Sequence, residues 1–515
     1  MGRAKVAKRY RQKTLRRIAT TSFLLSVALT PNLLAESAKA QQTSNAGATP
    51  SPRVTDQAFA KKSAKFQASL RDLSHWVKTH GGKVSAKAIR IWDGALVGEH
   101  SSQLALNPAS NMKVVTAAVA LELLGPQYKF QTGIYAQRAH GKVRQLVVRG
   151  NGDPTLTEAG LWRLSNALVK IGLTEVETLL VDQSYFDAQF VPPAFEQQPK
   201  EWAPFRAPVS ALAVDRNAVT LNVVPTTAGR PARVWVQPSG AVDVQGLIRT
   251  TQSGGEKVAW NLGPAPTPDS GATSIVRLRS QLGGSIAQGR PRTRFRRRLQ
   301  DPRIVPGWVL AQHLRAQGVT VGDVELGGES VSRRVTYHSS PPLSEILKSL
   351  GKHSDNFTAE MVFKTLSDSA NDDSASFAGA SRATTKWLLA NGVAANEFQI
   401  QNGSGLFDAN RLSANALVST LSHAYSSPKI RHEFLAHLAI GGVDGTLHYR
   451  FRNPKASGRV RGKTGTLNAA ITLSGYVLSN EGSTSPVAFS LLVNGIRGRH
   501  REIRQRIDRC VRELL

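Results

Sequence analysis

The sequence predicts an α/β (α+β) fold interrupted by a long, mostly β insertion, and three observations support this. Apolar runs at 472–478 and 487–493 indicate strands near the end of the chain. A helical stripe of apolar residues follows them at Ile503, Ile507, Val511 and Leu514. Alternating patterns at 219–223 and 232–236 indicate further strands in the middle. At 515 residues the chain is long enough for more than one domain.

The first forty residues have the layout of a secretory signal peptide. Basic residues up to position 17 precede an apolar stretch at 18–29, and Ala38-Lys39-Ala40 then supplies small residues for cleavage. The apolar stretch is short for a membrane span. We therefore expect cleavage near Ala40 and an exported, periplasmic protein. An uncleaved anchor and a basic nucleic-acid arm are the alternatives.

The mature chain is expected to begin with a flexible leader at 41–55, since these residues are small, polar and include proline. Helical spacing then predicts a first helix around Phe66 and Leu70, and the run 88–92 predicts a strand. The formal net charge of +30 indicates an anionic partner without identifying it. The single cysteine, Cys510, excludes an internal disulfide.

Ser110 and Lys113 form the most informative pair in the chain. They begin an apolar segment that predicts a buried helix, with Lys113 one turn after Ser110 on the same face. A serine hydroxyl needs a base to become a nucleophile, and lysine serves only when its amine is neutral. Burial and a helix N-terminus both lower the pKa of an amine. Taken alone, however, the spacing favours a helix-capping serine and a surface lysine.

Two later motifs change that interpretation. Ser354-Asp355-Asn356 precedes a predicted helix, and Lys463-Thr464-Gly465 lies on a predicted strand. Alone, the first is a common helix cap and the second a common turn. The order Ser-x-x-Lys, Ser-Asp-Asn, Lys-Thr-Gly is the triple signature of penicillin-binding proteins and class A β-lactamases. Three matches in this order, each in fitting local structure, argue against coincidence.

With these motifs the chain resembles the class C low-molecular-mass penicillin-binding proteins, the D-alanyl-D-alanine carboxypeptidases/endopeptidases of serine peptidase family S13. Further family-like blocks lie at 150–154, 181–186, 207–212, 402–406 and 442–447. The resemblance implies a penicillin-binding/β-lactamase-like catalytic domain, an antiparallel sheet flanked by helices, with inserted, mostly β domains. The implied limits are 50–138 and 334–515 for the catalytic domain, 139–210 and 284–333 for inserted domain II, and 211–283 for nested domain III.

The resemblance also implies roles for individual residues. The implied catalytic residues are Ser110, Lys113, Ser354, Asn356 and Lys463. The implied substrate-binding residues are Lys463, Thr464, Gly465, Thr466 and Asn468, with the backbone N–H groups of Ser110 and Thr466 as the oxyanion hole. Peptidoglycan peptides are the implied substrates and β-lactams the implied covalent inhibitors. No cofactor, metal or nucleic acid is expected.

Two features leave alternatives open. Phe407 and Asp408 stand where family members often carry serine and arginine, so the stem-peptide preference is undecided. The basic run 290–298, from Arg290 to Arg298, fits either a solvated loop or a contact with an anionic wall or membrane surface.

The competing functions are a β-lactamase or esterase of the same superfamily and a catalytically quiet cell-wall-binding protein.

Overall fold

The computed structural model describes residues 52–198, 200–264, 278–328, 333–367, 374–478 and 485–515. The predicted signal peptide, 1–40, lies outside the described residues, as does most of the predicted leader. The first helix begins at Pro52, inside that predicted leader. None of the described helices combines the length and apolar character that a membrane span requires.

The helices and strands are numbered here in chain order. The helices are α1 (Pro52–Thr79), α2 (Met112–Leu123), α3 (Glu158–Lys170), α4 (Val305–Ala316), α5 (Leu343–Lys352), α6 (Asn356–Thr365), α7 (Phe377–Ala390), α8 (Ala414–Ser426), α9 (Arg431–His437) and α10 (His500–Arg512). The strands are β1 (Lys83–Arg90), β2 (Leu96–His100), β3 (Gln131–Ala136), β4 (Gly141–Gly150), β5 (Leu173–Asp182), β6 (Ala218–Val224), β7 (Arg233–Gln237), β8 (Val242–Gly246), β9 (Arg249–Thr251), β10 (Glu256–Pro264), β11 (Leu278–Ala287), β12 (Thr293–Arg298), β13 (Thr320–Leu326), β14 (Arg334–Ser339), β15 (Phe398–Gln399), β16 (Arg411–Leu412), β17 (Ala439–Ile440), β18 (Val460–Leu467), β19 (Ala470–Val477) and β20 (Val487–Asn494).

A six-stranded antiparallel sheet carries the Lys463-Thr464-Gly465 motif on β18 and runs in the order β17-β18-β19-β20-β1-β2. Its two faces are buried under different helices. On one face, residues such as Leu491 join a cluster with Phe66 of α1 and Ile507 of α10. On the other face, Leu492 joins a cluster with Val115 of α2 and other helices. Because successive strand residues point to opposite faces, each strand contributes side chains to the helix-covered clusters on both sides of the sheet.

The C-terminal part of the sequence prediction is confirmed. The runs 472–478 and 487–493 correspond to β19 and β20, with ends displaced by at most two residues. The predicted apolar stripe of the last helix is buried at Ile503, Ile507 and Val511 of α10. These elements were predictable because each shows its own periodicity within a short stretch of chain.

The insertion contains three further sheets, and the strand pairing within them crosses the implied domain limits. The order β13-β5-β4-β3-β14 places β3 and β14 in a five-stranded sheet of the insertion, whereas the limits 138 and 334 assigned both strands to the catalytic domain. Strand β11 crosses the limit at 283, and β12 pairs with β6 across it. Residues Asp56–Leu515 form one compact unit, so the domain limits themselves stay a prediction.

The basic run is not a solvated loop along its whole length. Residues Thr293–Arg298 form β12, which lies beside β6 in the order β12-β6-β7. Arg297 and Arg298 lie over the Trp202 ring, with centroid distances of 5.8 and 5.7 Å. The loop interpretation is therefore wrong for this part, because these residues pair with β6 along their whole length, although Arg294 and Arg296 are exposed on the strand.

Candidate active site

Ser110 lies in a single helical turn, Ala109–Asn111, that leads directly into α2. This turn approaches β18 closely at Gly465, where a Cβ atom would overlap Thr472 Oγ1 and come within 3.0 Å of Ala109 Cβ. Thr472 Oγ1 also donates a hydrogen bond to Pro108 O at 3.0 Å. The glycine of the third motif thus allows the serine turn to lie against the strand.

Lys113 is completely buried one turn later, and its amine points at the serine. Its Nζ donates to Ser110 Oγ at 3.1 Å, to Asn356 Oδ1 at 2.8 Å and to Ser404 O at 2.7 Å. Burial lowers the pKa of Lys113 to about 7, although nearby carboxylates oppose that shift. A substantial fraction of the amine is therefore neutral near pH 7 and able to accept a proton.

Ser354 and Lys463 form a second serine–lysine pair beside the first. Lys463 is completely buried, and its Nζ donates to Ser354 Oγ at 2.9 Å and to Thr464 O at 2.7 Å. Burial lowers the pKa of Lys463, and the neighbouring Lys113 lowers it further. Ser354 has a positive φ of 58°, a conformation that costs energy for a serine and is common at functional sites.

The second motif is fixed by the start of α6. Asp355 is its N-cap, and Oδ1 accepts a hydrogen bond from Thr358 N at 3.0 Å. Asn356 is the first residue of α6, and its Nδ2 donates to Phe205 O in the insertion at 3.2 Å. The helix start predicted from the sequence is confirmed, and it directs the Asn356 amide toward Lys113.

The third motif lies on a strand with one open edge. Strand β18 pairs with β19 along its length, but β17 covers the opposite edge only at Arg461 and Gly462. Among the described residues, no strand covers that edge from Lys463 to Leu467. An extended peptide can therefore add to the sheet there by backbone hydrogen bonds. Thr464 Oγ1 is held by Thr446 Oγ1 at 2.9 Å.

A cleft of about 730 Å³ lies where β18 ends and turns into β19, and Thr466 and Asn468 contribute to its walls. Asp408 lies on another wall, where Arg411 Nη1 pairs with its Oδ1 at 2.7 Å. Asn107 Nδ2 donates to the same oxygen at 3.1 Å. The negative charge of Asp408 is thus partly neutralised by Arg411 in the same loop.

Glu360 supports this site and was not assigned a role from the sequence. It is completely buried and accepts hydrogen bonds from Gly403 N at 3.0 Å and Ser404 N at 2.8 Å. Burial raises the pKa of its carboxyl group, against the hydrogen bonds and the Lys113 charge. A carboxylate four residues after Asn356 on a mostly apolar helix was the available signal.

Arg216 is a second residue that sequence reasoning missed. Its Nη1 lies 2.6 Å from Asp355 Oδ2, and its Nη2 donates to Ser349 Oγ at 3.4 Å. It belongs to the insertion, far from both partners in the chain, so no local pattern could have revealed this ion pair.

The comparisons with known proteins agree with this geometry. Residues 73–514 match the model of the D-Ala-D-Ala carboxypeptidase 3 (S13) family. The chain belongs to this family. The S13 chain is 32% identical over 417 residues to the D-alanyl-D-alanine carboxypeptidase of Actinomadura sp. (strain R39), covering 76% of this chain and 74% of the relative. It is 24% identical over 427 residues to D-alanyl-D-alanine carboxypeptidase DacB of Haemophilus influenzae, covering 81% and 86%.

A solved structure confirms the predicted fold class of this S13 member. Penicillin binding protein 4 (dacB) from Haemophilus influenzae has a TM-score of 0.68 at 21% identity, covering 85% of this chain and 98% of that chain. The same protein complexed with a β-lactam has a TM-score of 0.65 at 22% identity. The mixed α/β architecture with extra sheets is therefore shared.

The structure brings the predicted catalytic residues together. Ser110, Lys113 and Asn356 meet at the Lys113 amine, and Ser354 meets Lys463 next to them. The predicted substrate-binding residues Thr464, Gly465 and Thr466 follow along β18, and Asn468 comes just after that strand. The roles assigned to these residues stay predictions and enter the proposal below.

Proposed function

We propose that this S13 family member is a serine-type D-alanyl-D-alanine carboxypeptidase that cleaves peptidoglycan stem peptides through an acyl-enzyme on Ser110. One observation carries the proposal: a buried Lys113 amine with a pKa of about 7 lies 3.1 Å from Ser110 Oγ. A helix-capping serine needs no buried lysine. The names of the curated relatives, D-alanyl-D-alanine carboxypeptidases, support the choice of substrate.

Acylation begins when the neutral Lys113 amine removes the Ser110 hydroxyl proton. Ser110 Oγ attacks the penultimate D-alanyl carbonyl carbon, and the N–H groups of Ser110 and Thr466 stabilise the negative charge on its oxygen. The C–N bond then breaks, and Ser354 donates a proton to the leaving amine while it regains one from the protonated Lys113, which becomes neutral again. Water hydrolyses the resulting ester and restores Ser110.

Substrate binding uses the open edge of β18. Lys463 and Thr464 bind the substrate carboxylate, and the backbone around Gly465 and Thr466 aligns the peptide as an added strand. Asn356 holds the substrate's peptide amide, and Asn468 faces the substrate from the end of the strand. These groups are held in place before substrate arrives, so little ordering free energy is lost on binding.

The same site also acts on cross-linked peptides. If the leaving group is free D-alanine the reaction is a carboxypeptidase reaction, and if it is the side-chain amine of a second stem peptide it is an endopeptidase reaction. Incubation with purified wall fragments separates the two activities, because released D-alanine and opened cross-links are measured independently. Neither product from intact, folded protein would contradict the proposal.

Labelled penicillin and intact-protein mass test the nucleophile and its base. We expect a stable adduct in the wild-type protein and none in Ser110→Ala or Lys113→Ala. Lys429→Ala is the control, because that lysine is 56% exposed and outside the site. Rapid release of the adduct would favour a β-lactamase or esterase instead, and no adduct in wild type would favour a quiet cell-wall-binding protein.

The proposal includes the place of action. Export to the periplasm by the signal peptide at 1–40 fits a peptidoglycan substrate, and the basic run from Arg290 to Arg298 provides a contact with an anionic wall or membrane surface. Intact mass of the protein isolated from the periplasmic fraction should correspond to a chain beginning near residue 41. A full-length chain in the cytoplasm would contradict this.

A further inference from the structure

A second cleft, of about 860 Å³, lies in the insertion and has no part in the mechanism above. Its walls come from the start of α3, the turn before β6, and the strands β6 and β12. Its charged and aromatic lining residues are Glu158, Trp162, Asp215, Arg216, Arg294, Arg296 and His313.

Trp162 gives the cleft an exposed aromatic surface. Its side chain is 49% exposed on α3, one turn after Glu158. Tryptophan is rarely left this exposed without a partner, because its large apolar surface gains free energy when covered. A flat ring beside polar groups suits the face of a sugar, which presents C–H groups on its surface and hydroxyl groups around its rim.

The arginines give the cleft an excess of positive charge. Arg294 and Arg296 are two residues apart on β12, so their side chains lie on the same face of the strand. Arg296 is oriented by donating to Asp215 O at 3.0 Å. Burial raises the pKa of Asp215 to about 6, which reduces its negative charge in mildly acidic solution. Guanidinium groups bind carboxylates through paired hydrogen bonds.

The turn that carries Arg216 is strained. Asp215, Arg216 and Asn217 have φ angles of 47°, 61° and 49°, which places three successive non-glycine residues in the left-handed region. Asn217 Nδ2 secures the turn through Pro208 O and Ser210 Oγ, both at 3.0 Å. Such strain persists where the surrounding structure enforces it, often at binding sites.

We propose that this cleft binds a carboxylate-bearing saccharide, a peptidoglycan glycan strand without stem peptides, whose lactyl carboxylates are free. Trp162 stacks on a sugar ring, and Arg294 and Arg296 bind the carboxylate. This inference rests on the proposed function, which places the enzyme at the wall. Arg216 lines the cleft and also pairs with Asp355 of the second motif, so the glycan lies close to the site that cleaves the peptides.

Calorimetry with the mature protein tests the ligand class. The probes are peptide-free glycan strands with free lactyl carboxylates, chitooligosaccharides of the same length, and polyglutamate. We expect the glycan to bind about tenfold or more tightly than either other probe, since a hydrogen bond to a charged group contributes that much. Equal binding of chitooligosaccharide or of polyglutamate would overturn the proposal.

Matched variants test the location. Trp162→Ala and Arg294→Gln should each weaken glycan binding by about tenfold. Trp92→Ala and Arg233→Gln should not, because Trp92 is an exposed tryptophan and Arg233 an exposed arginine of β7, both outside the cleft. Glycan affinity unchanged in both cleft variants would overturn the assignment. Penicillin acylation should be normal in all four, so a failure here is distinct from a failure of the proposed function.

Discussion

At the scale of single residues, Lys113 shows how burial sets reactivity. Desolvation lowers the pKa of its amine, whereas Glu360 and Asp355 raise it, and the balance lies at about 7. The serine–lysine spacing was visible in the sequence, but this balance was not. It depends on burial and on the carboxylates of Glu360 and Asp355, which lie far from Lys113 in the chain.

The first prediction is a pH dependence of acylation. Protonated Lys113 cannot accept the Ser110 proton. Below pH 7, each increase of one pH unit should therefore raise the rate of penicillin acylation about tenfold. Above pH 7 the rate should level off as the amine becomes neutral. Stopped-flow measurement of the second-order rate constant from pH 5 to 9 checks this, and a rate that does not change through pH 7 would count against Lys113 as the base.

The second prediction concerns Glu360. Glu360→Ala leaves the buried N–H groups of Gly403 and Ser404 without their acceptor, so the free energy of unfolding should fall by about 2–5 kcal/mol. Acylation should also slow, because Ser404 O no longer holds the Lys113 amine in place. Urea unfolding and the penicillin assay measure the two effects.

Glu345→Ala is the matched control for Glu360, because that side chain is exposed on α5. It should change stability by less than about 0.5 kcal/mol. Equal stability of the Glu360 and Glu345 variants would show that the Glu360 hydrogen bonds are not needed.

At the scale of elements, β18 combines an open edge with a close approach to the serine turn. Its register places Gly465 opposite Thr472 of β19, and Thr472 in turn binds Pro108 O. The strand was predictable from the sequence, but the close approach was not. It follows from the pairing of three segments that are separated in the chain.

The third prediction compares two glycines of β18. Gly465→Ala should lower the acylation rate by more than about tenfold and destabilise the fold by about 1–3 kcal/mol, because its Cβ overlaps Thr472 Oγ1. Gly462→Ala should have a smaller effect, since its closest neighbour, Ser474 O, is 3.2 Å away. If both variants lost acylation rate and stability equally, strand propensity, and not the close approach of the serine turn, would explain why residue 465 is a glycine.

The elements that could be predicted from the sequence are those with a pattern confined to a short stretch of chain. The strands β19 and β20, the helix starting at Asn356 and the stripe of α10 each have a pattern within about ten residues. The sheets of the insertion could not be assigned in this way, because β12 pairs with β6 and β14 with β3 across long stretches of chain. The same limit applies to the site, where the motifs were visible and the supporting residues Glu360 and Arg216 were not.

At the scale of the whole molecule, the insertion takes part in positioning the second motif. Arg216 pairs with Asp355, and Phe205 O accepts a hydrogen bond from Asn356. Lys364, on the helix α6 that follows this motif, is buried, and its Nζ lies 2.5 Å from Asp187 Oδ1. The insertion therefore supports the helix that begins with Asn356, the asparagine predicted to be catalytic.

The fourth prediction tests this support. Arg216→Ala should lower the acylation rate severalfold, with Arg216→Lys restoring part of it. Stability should change by less than about 1 kcal/mol, because the arginine side chain is 44% exposed and solvent screens the pair. An unchanged acylation rate in Arg216→Ala would show that the insertion does not position the second motif.

The pairing of β1 with β20 has a consequence for biosynthesis. Lys83 lies opposite Asn494 and Arg90 opposite Val487, so β1 pairs with a strand that is synthesised much later. Such distant pairing slows folding. Lys463 is also translated long after Ser110, so a nascent chain lacks the residues needed to open a wall peptide or capture an antibiotic. The candidate site can therefore assemble only after the chain has been synthesised at least as far as Lys463.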